Sequence, residues 1–506
     1  MDQLLDVAPD ADASASPPNG VRVRGGKRFE EIPSRDQLSF EVRRIQDFVP
    51  EGDRVRVIDE LVDQLDFSAL EAAHPGGGRP AFAPKFLAKQ LIFGYTLGIR
   101  SAREISRRVD YDVRFKWLAS ERRVDHRTLS HFRRQFHEAL KDIFRQTVHL
   151  GVLAGLVSLR LVAVDGTKIA AAAKRRTLGP DALEKALRHV DEQIEQLLRE
   201  GERLDAEEDA ALGEARGDEV PPELAKAKTR REKLLEAKRT LQQSGQGHVS
   251  LTDPEAPVQK TGDGKRPGYN GQLAVDGDSG VIVGQDLTDA QDDTQQLAPM
   301  VEQVTEHLGL LPDTLPADAG YQSAETLTFI EKWDLNAYLG QRPPPAQERY
   351  GHEAFGYDSE RDTYVCPVGA TLVFKKIKTL HEDPYRLYRA SSRDCRHCPQ
   401  RARCITEKSP VRELLIATHD ALVQAMRQKS ATEAGREALQ LRAQTVEPTF
   451  GTIKAVLGLR QFLLRGLRGA QTEFGLCAIA MNLRKVAHWR LAGGDGALLR
   501  LAWQAA

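Results

Sequence analysis

Apolar residues recur at helical spacing through the first part of the chain. Residues 36–75 and 84–152 both carry this spacing, and a Pro/Gly-rich break separates them. The last helix of the region opens at DHRTLSHF, where Asp125 and Thr128 are candidates for the N-cap. The pattern therefore predicts a helical N-terminal region.

Alternating and β-branched stretches begin after this helical region. The stretch 158–166 predicts a first strand, and 268–289 predicts a β-hairpin with DGDSG as its turn. Helical spacing returns at 295–309, a short strand follows at 314–321, and SAETLTFIEKW predicts the next helix. This order of elements predicts an α/β core with a mixed sheet.

Two further stretches interrupt or follow this core. Residues 181–243 carry leucine, isoleucine and valine at a heptad-like spacing, which predicts an antiparallel helical hairpin inserted after the first strand. A packing or dimerisation arm is the expected role of that hairpin. Residues 341–410 are less regular and carry cysteines, and helices at about 418–443 and 446–491 close the pattern.

The charge of the whole chain hides a local basic region. The formal net charge is −1, which does not by itself indicate a nucleic-acid partner. Residues 85–145, however, hold 15 Lys and Arg against 7 Asp and Glu, a net of +8. Helices with arginine clusters grip phosphates in helix-turn-helix modules. An ordinary helical bundle with solvated arginines explains the same charge equally well.

The sequence does not predict export or a membrane span. The first residues lack the basic start and apolar core that a signal peptide requires. No apolar run approaches the roughly 18–20 residues that a membrane-spanning helix needs. We therefore expect a soluble, cytoplasmic protein without a membrane partner.

Three acidic residues follow apolar runs or open a predicted helix. Asp165 and Asp318 end predicted strands beside small residues that leave room for a substrate, and Glu447 precedes Pro448 at a predicted helix start. Three converging carboxylates suit hard divalent cations such as Mg²⁺. Each of them alone is more often a turn or cap residue. Asp276 also follows an apolar run, but its DGDSG turn favours a local hydrogen-bonding role.

Four cysteines have the spacing C-x28-C-x2-C-x5-C, at Cys366, Cys395, Cys398 and Cys404. Four thiolates complete a tetrahedral Zn²⁺ site, and the C-x2-C pair favours such a structural site. Reduced free thiols are the alternative, because a second close pair is absent. Cys477 lies in an apolar helical stretch and is expected in the core.

Basic residues also surround the segment that carries the glutamate. Residues 450–491 hold seven Lys and Arg against one Glu, a net of +6. The basic residues interleave with aromatic ones, which suits a groove that tracks a nucleic-acid backbone. The aromatic residues alone are typical of a core. The best candidates for DNA contacts are Arg460, Arg465 and Arg468, because they flank the glutamate helix.

The motifs around these acids resemble those of a known family. LVAVDGTKIAA, the stretch 268–300, PADAGY and TVEPTFGTIKAVLGLRQFLLRGL resemble DDE transposases of bacterial insertion sequences, of the IS1182 type within the wider group that includes IS4 and IS5. DHRTLSHFRR and the helices before it resemble the N-terminal domain of such transposases. The similarity extends from about residue 30 to about residue 490.

The resemblance implies an RNase H-like catalytic core with a mixed sheet. Asp165 and Asp318 would lie on adjacent strands of it and Glu447 on a following helix. The expected parts are a disordered tail at 1–30, a helical DNA-binding domain at 31–155, the core at 156–180 and 244–340, the helical-hairpin insertion at 181–243, the Cys-bearing insertion at 341–412, and C-terminal helices at 413–495 that complete the core.

The resemblance also implies the chemistry. The three acids would hold two Mg²⁺ ions, for which Mn²⁺ can substitute, and the site would cleave and join DNA strands. Lys454 matches the family's glutamate–lysine signature and would contact the DNA backbone. The related signature places an arginine four residues before the glutamate, but Ala443 stands there and Arg442 lies one residue off, so the sequence assigns no role to that arginine. The N-terminal candidates for DNA contacts are Arg127, Arg133 and Arg134.

The implied partners are double-stranded DNA, as terminal inverted repeats and target, and a second copy of the chain when two ends are held together. The implied location is the bacterial nucleoid. Two alternatives stay open. A structure-specific DNA nuclease on the same fold would cleave without joining, and a zinc-bearing DNA-binding protein without catalysis would bind DNA indifferently to Mg²⁺.

Overall fold

The chain divides into two compact units, Met1–Phe48 and Val49–Ala506. In the first unit, β1 (Arg22–Arg24) pairs antiparallel with β2 (Lys27–Phe29). Apart from these strands, the tail predicted at 1–30 lies outside the described residues. The computed structural model describes residues 22–24, 27–29, 43–73, 80–175, 177–212, 222–261, 264–341, 350–351, 354–380, 383–406, 409–417 and 419–494.

Helices fill the first part of the second unit, which confirms the helical region predicted from the spacing. The Asp125 side chain accepts a hydrogen bond from the Arg127 N–H at 2.7 Å and so caps the last of them. The buried face of that helix carries Leu129, Phe136 and Ile143. The helices are α1 (Arg54–Asp63), α2 (Ser68–Ala72), α3 (Pro84–Thr96), α4 (Ala102–Tyr111), α5 (Val113–Leu118) and α6 (His126–Leu153).

A six-stranded sheet forms the centre of the second unit. Its strands are β3 (Val162–Ala170), β4 (Val258–Thr261), β5 (Gly264–Asp276), β6 (Ile282–Thr288), β7 (Leu315–Ala317) and β8 (Ala337–Leu339). The order is β4-β5-β3-β7-β8, and β6 also pairs with β5. β3 runs antiparallel to β5 and parallel to β7, so the predicted α/β class with a mixed sheet is confirmed.

The first strand of this sheet differs from its prediction. β3 extends over Val162–Ala170, so Asp165 lies within the strand and not at its end. On one side Asp165 is opposite Leu273 of β5, and on the other side Val164 pairs with Ala317, the last residue of β7. Asp165 therefore marks the place where the β7 side of the sheet ends while the β5 side continues.

The predicted helical hairpin is confirmed. It consists of α7 (Pro180–Leu212) and α8 (Pro222–Ser244). Ion pairs join Arg231 to Asp191 at 2.5 Å and Lys238 to Glu184 at 3.2 Å, and this pairing requires antiparallel helices. A separate apolar cluster holds the hairpin together, formed by Leu183, Leu187, Val190, Leu234, Ala237, Leu241 and Val249.

Helices α9 (Leu297–Leu308) and α10 (Ala324–Lys332) confirm the two helices predicted on either side of β7. Gly309, at a φ of 69°, follows α9 in the left-handed conformation that commonly ends a helix. The Ser323 side chain accepts a hydrogen bond from the Thr326 N–H and begins α10. β7 and the residues after it therefore lie between two capped helices.

The cysteine-bearing segment forms a second, five-stranded antiparallel sheet. Its elements are β9 (Gly356–Asp358), β10 (Thr363–Val365), β11 (Thr371–Leu380), β12 (Asp383–Ala390), α11 (Ser392–Arg396), α12 (Arg401–Cys404) and β13 (Glu413–Ala417). The strand order follows the sequence from β9 to β13. The sequence indicated a less regular segment here, which is wrong for these strands. Lysines and a register shift between Phe374 and Lys376 interrupt the alternation of β11.

Helices α13 (Asp420–Ser430), α14 (Glu433–Ala455) and α15 (Leu467–Leu491) follow. The predicted helix start at Glu447 is wrong, because α14 continues through Glu447 and Pro448. A proline removes one backbone donor, and this helix continues past it. The break lies instead at 456–466, where Gly458 has a φ of 69°.

Helix α15 connects the N-terminal helices to the central sheet. It contacts α1, α3, α6 and β6, and it is buried along most of its length. One apolar core therefore extends from Val49 to Ala487, and Cys477 lies within it as predicted. Among the helices that the structure describes, none is long and apolar enough to cross a membrane.

Candidate active site

Asp165 and Asp318 are neighbours at the point where β7 ends. Val164 pairs with Ala317 in parallel register, and each of these residues is followed directly by one of the two aspartates. The charge of Asp318 is close enough to raise the pKa of Asp165. The structure thus brings together two of the three acids singled out in the sequence.

The Asp165 carboxyl is largely desolvated and lies among charged side chains. Burial raises its pKa to about 6, with the nearby Arg442 opposing the rise and Asp318 adding to it. The Arg442 guanidinium lies 2.9 Å from the carboxylate, and each side chain is 17% exposed. Asp165 is therefore a mostly buried carboxylate that forms an ion pair with Arg442.

Arg442 was not assigned a role from the sequence. The family signature directed attention to Ala443, and the wrongly predicted helix break separated Arg442 from Glu447. In the structure one helix, α14, carries all three residues. The sequence did not show that the helix continues through Pro448. This continuity places Arg442, which contacts β3, on the same helix as Glu447.

Lys454 and Glu447 lie two turns apart on the same side of α14. The Lys454 ammonium donates a hydrogen bond to the Thr167 hydroxyl on β3. Burial lowers the pKa of Lys454, and the charge of Asp165 opposes this effect. Glu447 itself is exposed. It lies along the helix between Arg442 and Lys454, two side chains that both contact β3.

Oxygen ligands are the chemistry that Mg²⁺ prefers, and the carboxylates of Asp165 and Asp318 supply them. Within the described part of the chain, no group of three or more His, Cys, Asp or Glu side chains is arranged to hold a metal ion. The two adjacent carboxylates still fit a divalent cation in their chemistry, because they supply oxygen ligands, and Glu447 lies on the helix that contacts β3 and β7.

A fourth acid, Asp293, lies close to Gly166 and Gly320, which follow Asp165 and Asp318, and it was missed in the sequence. A Cβ atom placed on Gly166 would lie 2.7 Å from Asp293 Oδ1, and one placed on Gly320 would lie 3.3 Å from Asp293 Oδ2. Gly166 and Gly320 therefore leave room for a protein carboxylate, and substrate access past the small residues stays a prediction. DAQDD contains three aspartates, and its pattern does not single out one of them.

Asp276 has the local role that its turn predicted. Its carboxylate accepts hydrogen bonds from the N–H groups of Asp278 and Ser279 within the turn, at 3.2 and 3.0 Å. It also accepts from the N–H groups of Ser158 and Leu159, at 3.0 and 3.1 Å. The prediction that Asp276 stabilises a turn is confirmed.

The arginines singled out on α6 lie in different environments. Arg127 and Arg134 are exposed and seven residues apart, which places them on one side of the helix. Arg133 is only 5% exposed and donates a hydrogen bond to the Arg100 carbonyl at 2.7 Å. We leave Arg133 out of the DNA-contact set, because a buried guanidinium held by the backbone does not reach a phosphate.

The arginines that follow α14 are exposed. Arg460 and Arg465 lie in the 456–466 segment, and Arg468 lies in the first turn of α15. The charge of Arg460 contributes to the lowered pKa of Lys454, so these two cations are close. Arg468 forms an exposed ion pair with Glu138 of α6.

The four cysteines singled out in the sequence are half-buried and lie outside the strands of the second sheet. Cys366, Cys395 and Cys404 pack against its apolar core. Burial raises the pKa of Cys404, Arg412 opposes this, and the other three cysteines add to it. The other three cysteines therefore lie near Cys404, but among the described residues no three ligand side chains are arranged to hold a metal ion, so structural zinc stays a prediction.

Two family comparisons match this chain. Residues 365–487 match a family described as "Transposase DDE domain", and residues 43–135 match "Transposase domain (DUF772)". The first match includes Glu447 and Lys454, whereas Asp165 and Asp318 precede it. No curated protein matches the chain. Both matched domains are transposase domains, and they are those characteristic of transposases of the IS1182 type.

Proposed function

We propose that this transposase cleaves DNA at the ends of its insertion sequence and joins the ends to target DNA at a site formed by Asp165, Asp318 and Glu447. The observation that carries the proposal is the parallel pairing of Val164 with Ala317, which sets the two aspartates side by side. Helix α14, which carries Glu447, contacts both of these strands. This arrangement supports an RNase H-like catalytic core.

Asp165, Asp318 and Glu447 would hold two Mg²⁺ ions, or Mn²⁺ in their place. Bound metal would lower the pKa of an attacking water or DNA 3′-hydroxyl and would stabilise the leaving oxygen. Arg442 competes with a cation for the Asp165 carboxylate, because the two residues form an ion pair. Release of that pair frees a guanidinium beside the site, where it can hold a DNA phosphate.

One half-buried lysine and five exposed arginines form the DNA-contact set of the proposal. Phosphate contacts from lysine and arginine supply most of the sequence-independent affinity for DNA. Lys454 would hold a phosphate next to Asp165, because its ammonium already lies on the adjacent β3 residue Thr167. The other members are Arg127, Arg134, Arg460, Arg465 and Arg468.

Joining two ends of one element requires that both are held together. We therefore include a homodimer on DNA in the proposal, acting at the nucleoid. The hairpin of α7 and α8 is the candidate arm for this contact, since its own apolar cluster is separate from the main core.

The test is an excision and end-transfer assay with purified protein, Mg²⁺ and a plasmid that carries the element's ends, taken from the DNA that flanks the gene. Asp165→Asn, Asp318→Asn and Glu447→Gln are each expected to abolish cleavage and to leave end binding intact. Glu437→Gln is the matched control, because Glu437 is an exposed glutamate on the same helix.

A fully active Asp318→Asn variant would contradict the proposed site. Cleavage without transfer of the 3′-end would favour a structure-specific nuclease. DNA binding that is indifferent to Mg²⁺, without cleavage by the unmodified protein, would favour a DNA-binding protein that has no catalytic activity.

A further inference from the structure

We infer that Asp293 is a positioning residue, which sets the place of Asp318 relative to Asp165 by acting through Gln272 and Tyr321. The inference rests on the proposed function, because it concerns two of the acids of that site. It adds a residue that the acidic triad does not include.

The Asp293 carboxylate orients two buried amides. Its Oδ1 accepts hydrogen bonds from Asn270 Nδ2 at 2.7 Å and from Gln272 Nε2 at 2.6 Å, and both donors belong to fully buried side chains of β5. Lys168 Nζ lies 3.9 Å from the same oxygen. An ionised carboxylate only accepts hydrogen bonds, so it holds the Gln272 amide with its NH₂ group towards Asp293.

The orientation of that amide determines the next contact. Gln272 Oε1 must face away from Asp293, and there it accepts a hydrogen bond from the Tyr321 hydroxyl. Tyr321 is fully buried and ends the short 3₁₀ turn Ala319–Tyr321, which Asp318 caps. Gln272 also lies opposite Gly166 in the register of β3 and β5. The hydrogen bonds therefore connect the Asp318 turn to the residue after Asp165.

Asp293 acts from the face of the sheet opposite to Asp165. Successive residues of a strand point to opposite faces, so Gly166 and Asp165 face different ways. The space above Gly166 is filled by the ends of the Gln272 and Asp293 side chains, 2.6 and 2.7 Å from the position of a Cβ atom. Arg442 and Asp165 make their ion pair on the other side. Asp293 therefore acts through Gln272 and the backbone and does not take Asp165's place.

The test measures Mn²⁺ binding to the full-length protein by isothermal titration calorimetry, without DNA. Asp293→Ala is expected to weaken Mn²⁺ affinity about 10- to 100-fold, as loss of a residue that orients metal ligands does. Asp293→Asn keeps an oxygen acceptor for both amides and is expected to lose less. Tyr321→Phe keeps the ring but removes the donor to Gln272, so it is also expected to weaken binding.

The matched control is Asp292→Ala, which removes the carboxylate of an exposed acid one residue away; that carboxylate accepts hydrogen bonds from Thr294 and from neither amide. It should keep wild-type affinity. A second readout is the Mg²⁺ dependence of cleavage, in which Asp293→Ala should recover at high Mg²⁺ and Asp165→Asn should not.

The outcomes separate this inference from the proposed function. If Asp165→Asn leaves Mn²⁺ binding unchanged, the proposed metal site is wrong. If Asp165→Asn abolishes binding while Asp293→Ala and Tyr321→Phe match the wild type, the proposed function stands and the positioning role is wrong. If Asp293→Ala does not fold, Tyr321→Phe alone decides.

Discussion

Replacing Glu473 with Gln removes the negative charge from a buried ion pair that joins two distant parts of the chain. Glu473 is 0% exposed and Arg100 is 10% exposed, and their closest atoms are 2.9 Å apart. The second carboxylate oxygen accepts hydrogen bonds from the N–H groups of Leu463 and Leu464 at 2.6 and 2.9 Å. The pair thus holds the arginine-bearing 456–466 segment against the loop before α4.

Loss of one partner of a buried pair leaves the other charge uncompensated, which costs about 3–5 kcal/mol. Glu473→Gln should therefore lower the free energy of unfolding by about that amount, a large share of the roughly 5–15 kcal/mol that is typical of folded proteins. Urea denaturation followed by circular dichroism measures the change as a lower midpoint at an unchanged slope. The double variant Arg100→Gln/Glu473→Gln should lose less than the sum of the two single variants.

The matched control is Glu195→Gln, in an ion pair of similar length that is exposed. Arg199 and Glu195 are 3.1 Å apart, and their side chains are 77% and 67% exposed. Surface pairs of this kind contribute less than about 1 kcal/mol. If Glu473→Gln costs no more than Glu195→Gln, the reasoning from burial and charge is refuted.

Three further predictions concern pH, DNA and zinc. The folded-state pKa of Asp165 is raised from 3.8 to about 6, so its contribution to stability is present below pH 3.8 and is lost as pH rises through 6. In urea titrations without divalent metal, the free energy of unfolding of the wild type relative to Asp165→Asn should therefore fall by up to about 3 kcal/mol between pH 4 and 7. A difference that stays constant with pH would contradict this. Lys454→Ala should weaken DNA binding and reduce its salt slope by about one in fluorescence-anisotropy titrations, and an unchanged slope would exclude a phosphate contact. Purified protein should contain about one zinc per chain by elemental analysis, and Cys398→Ser should lower that content; a zinc-free wild type would leave the four cysteines as reduced thiols.

The sequence predicted the order of strands and helices in the core, because alternation and helical spacing are local signals. It placed Asp165 at a strand end, whereas the structure shows the strand continuing to Ala170. What ends beside Asp165 is β7, and the length of a partner strand is not encoded in the sequence of β3. Glu447 followed by Pro448 is typical of a helix start, but packing of α14 on the sheet keeps both residues within one helix.

Arg442 and Asp293 could not be found from local pattern. Arg442 becomes relevant only because α14 lies over β3 and brings its guanidinium to Asp165. Asp293 becomes relevant only because β5 presents two amides to it, 21 and 23 residues away in sequence. Both depend on contacts between elements, which the spacing of apolar residues along one element does not report.

In the proposed function, Asp165, Asp318 and Glu447 together surround the bound divalent cations. Iron(II) takes oxygen ligands, and with ascorbate it generates radicals that cut the backbone close to the bound ion. With this protein, cuts near residues 165, 318 and 447 that excess Mg²⁺ suppresses are the predicted result. Cuts confined to other regions, or cuts near 165 and 318 without one near 447, would contradict the claim.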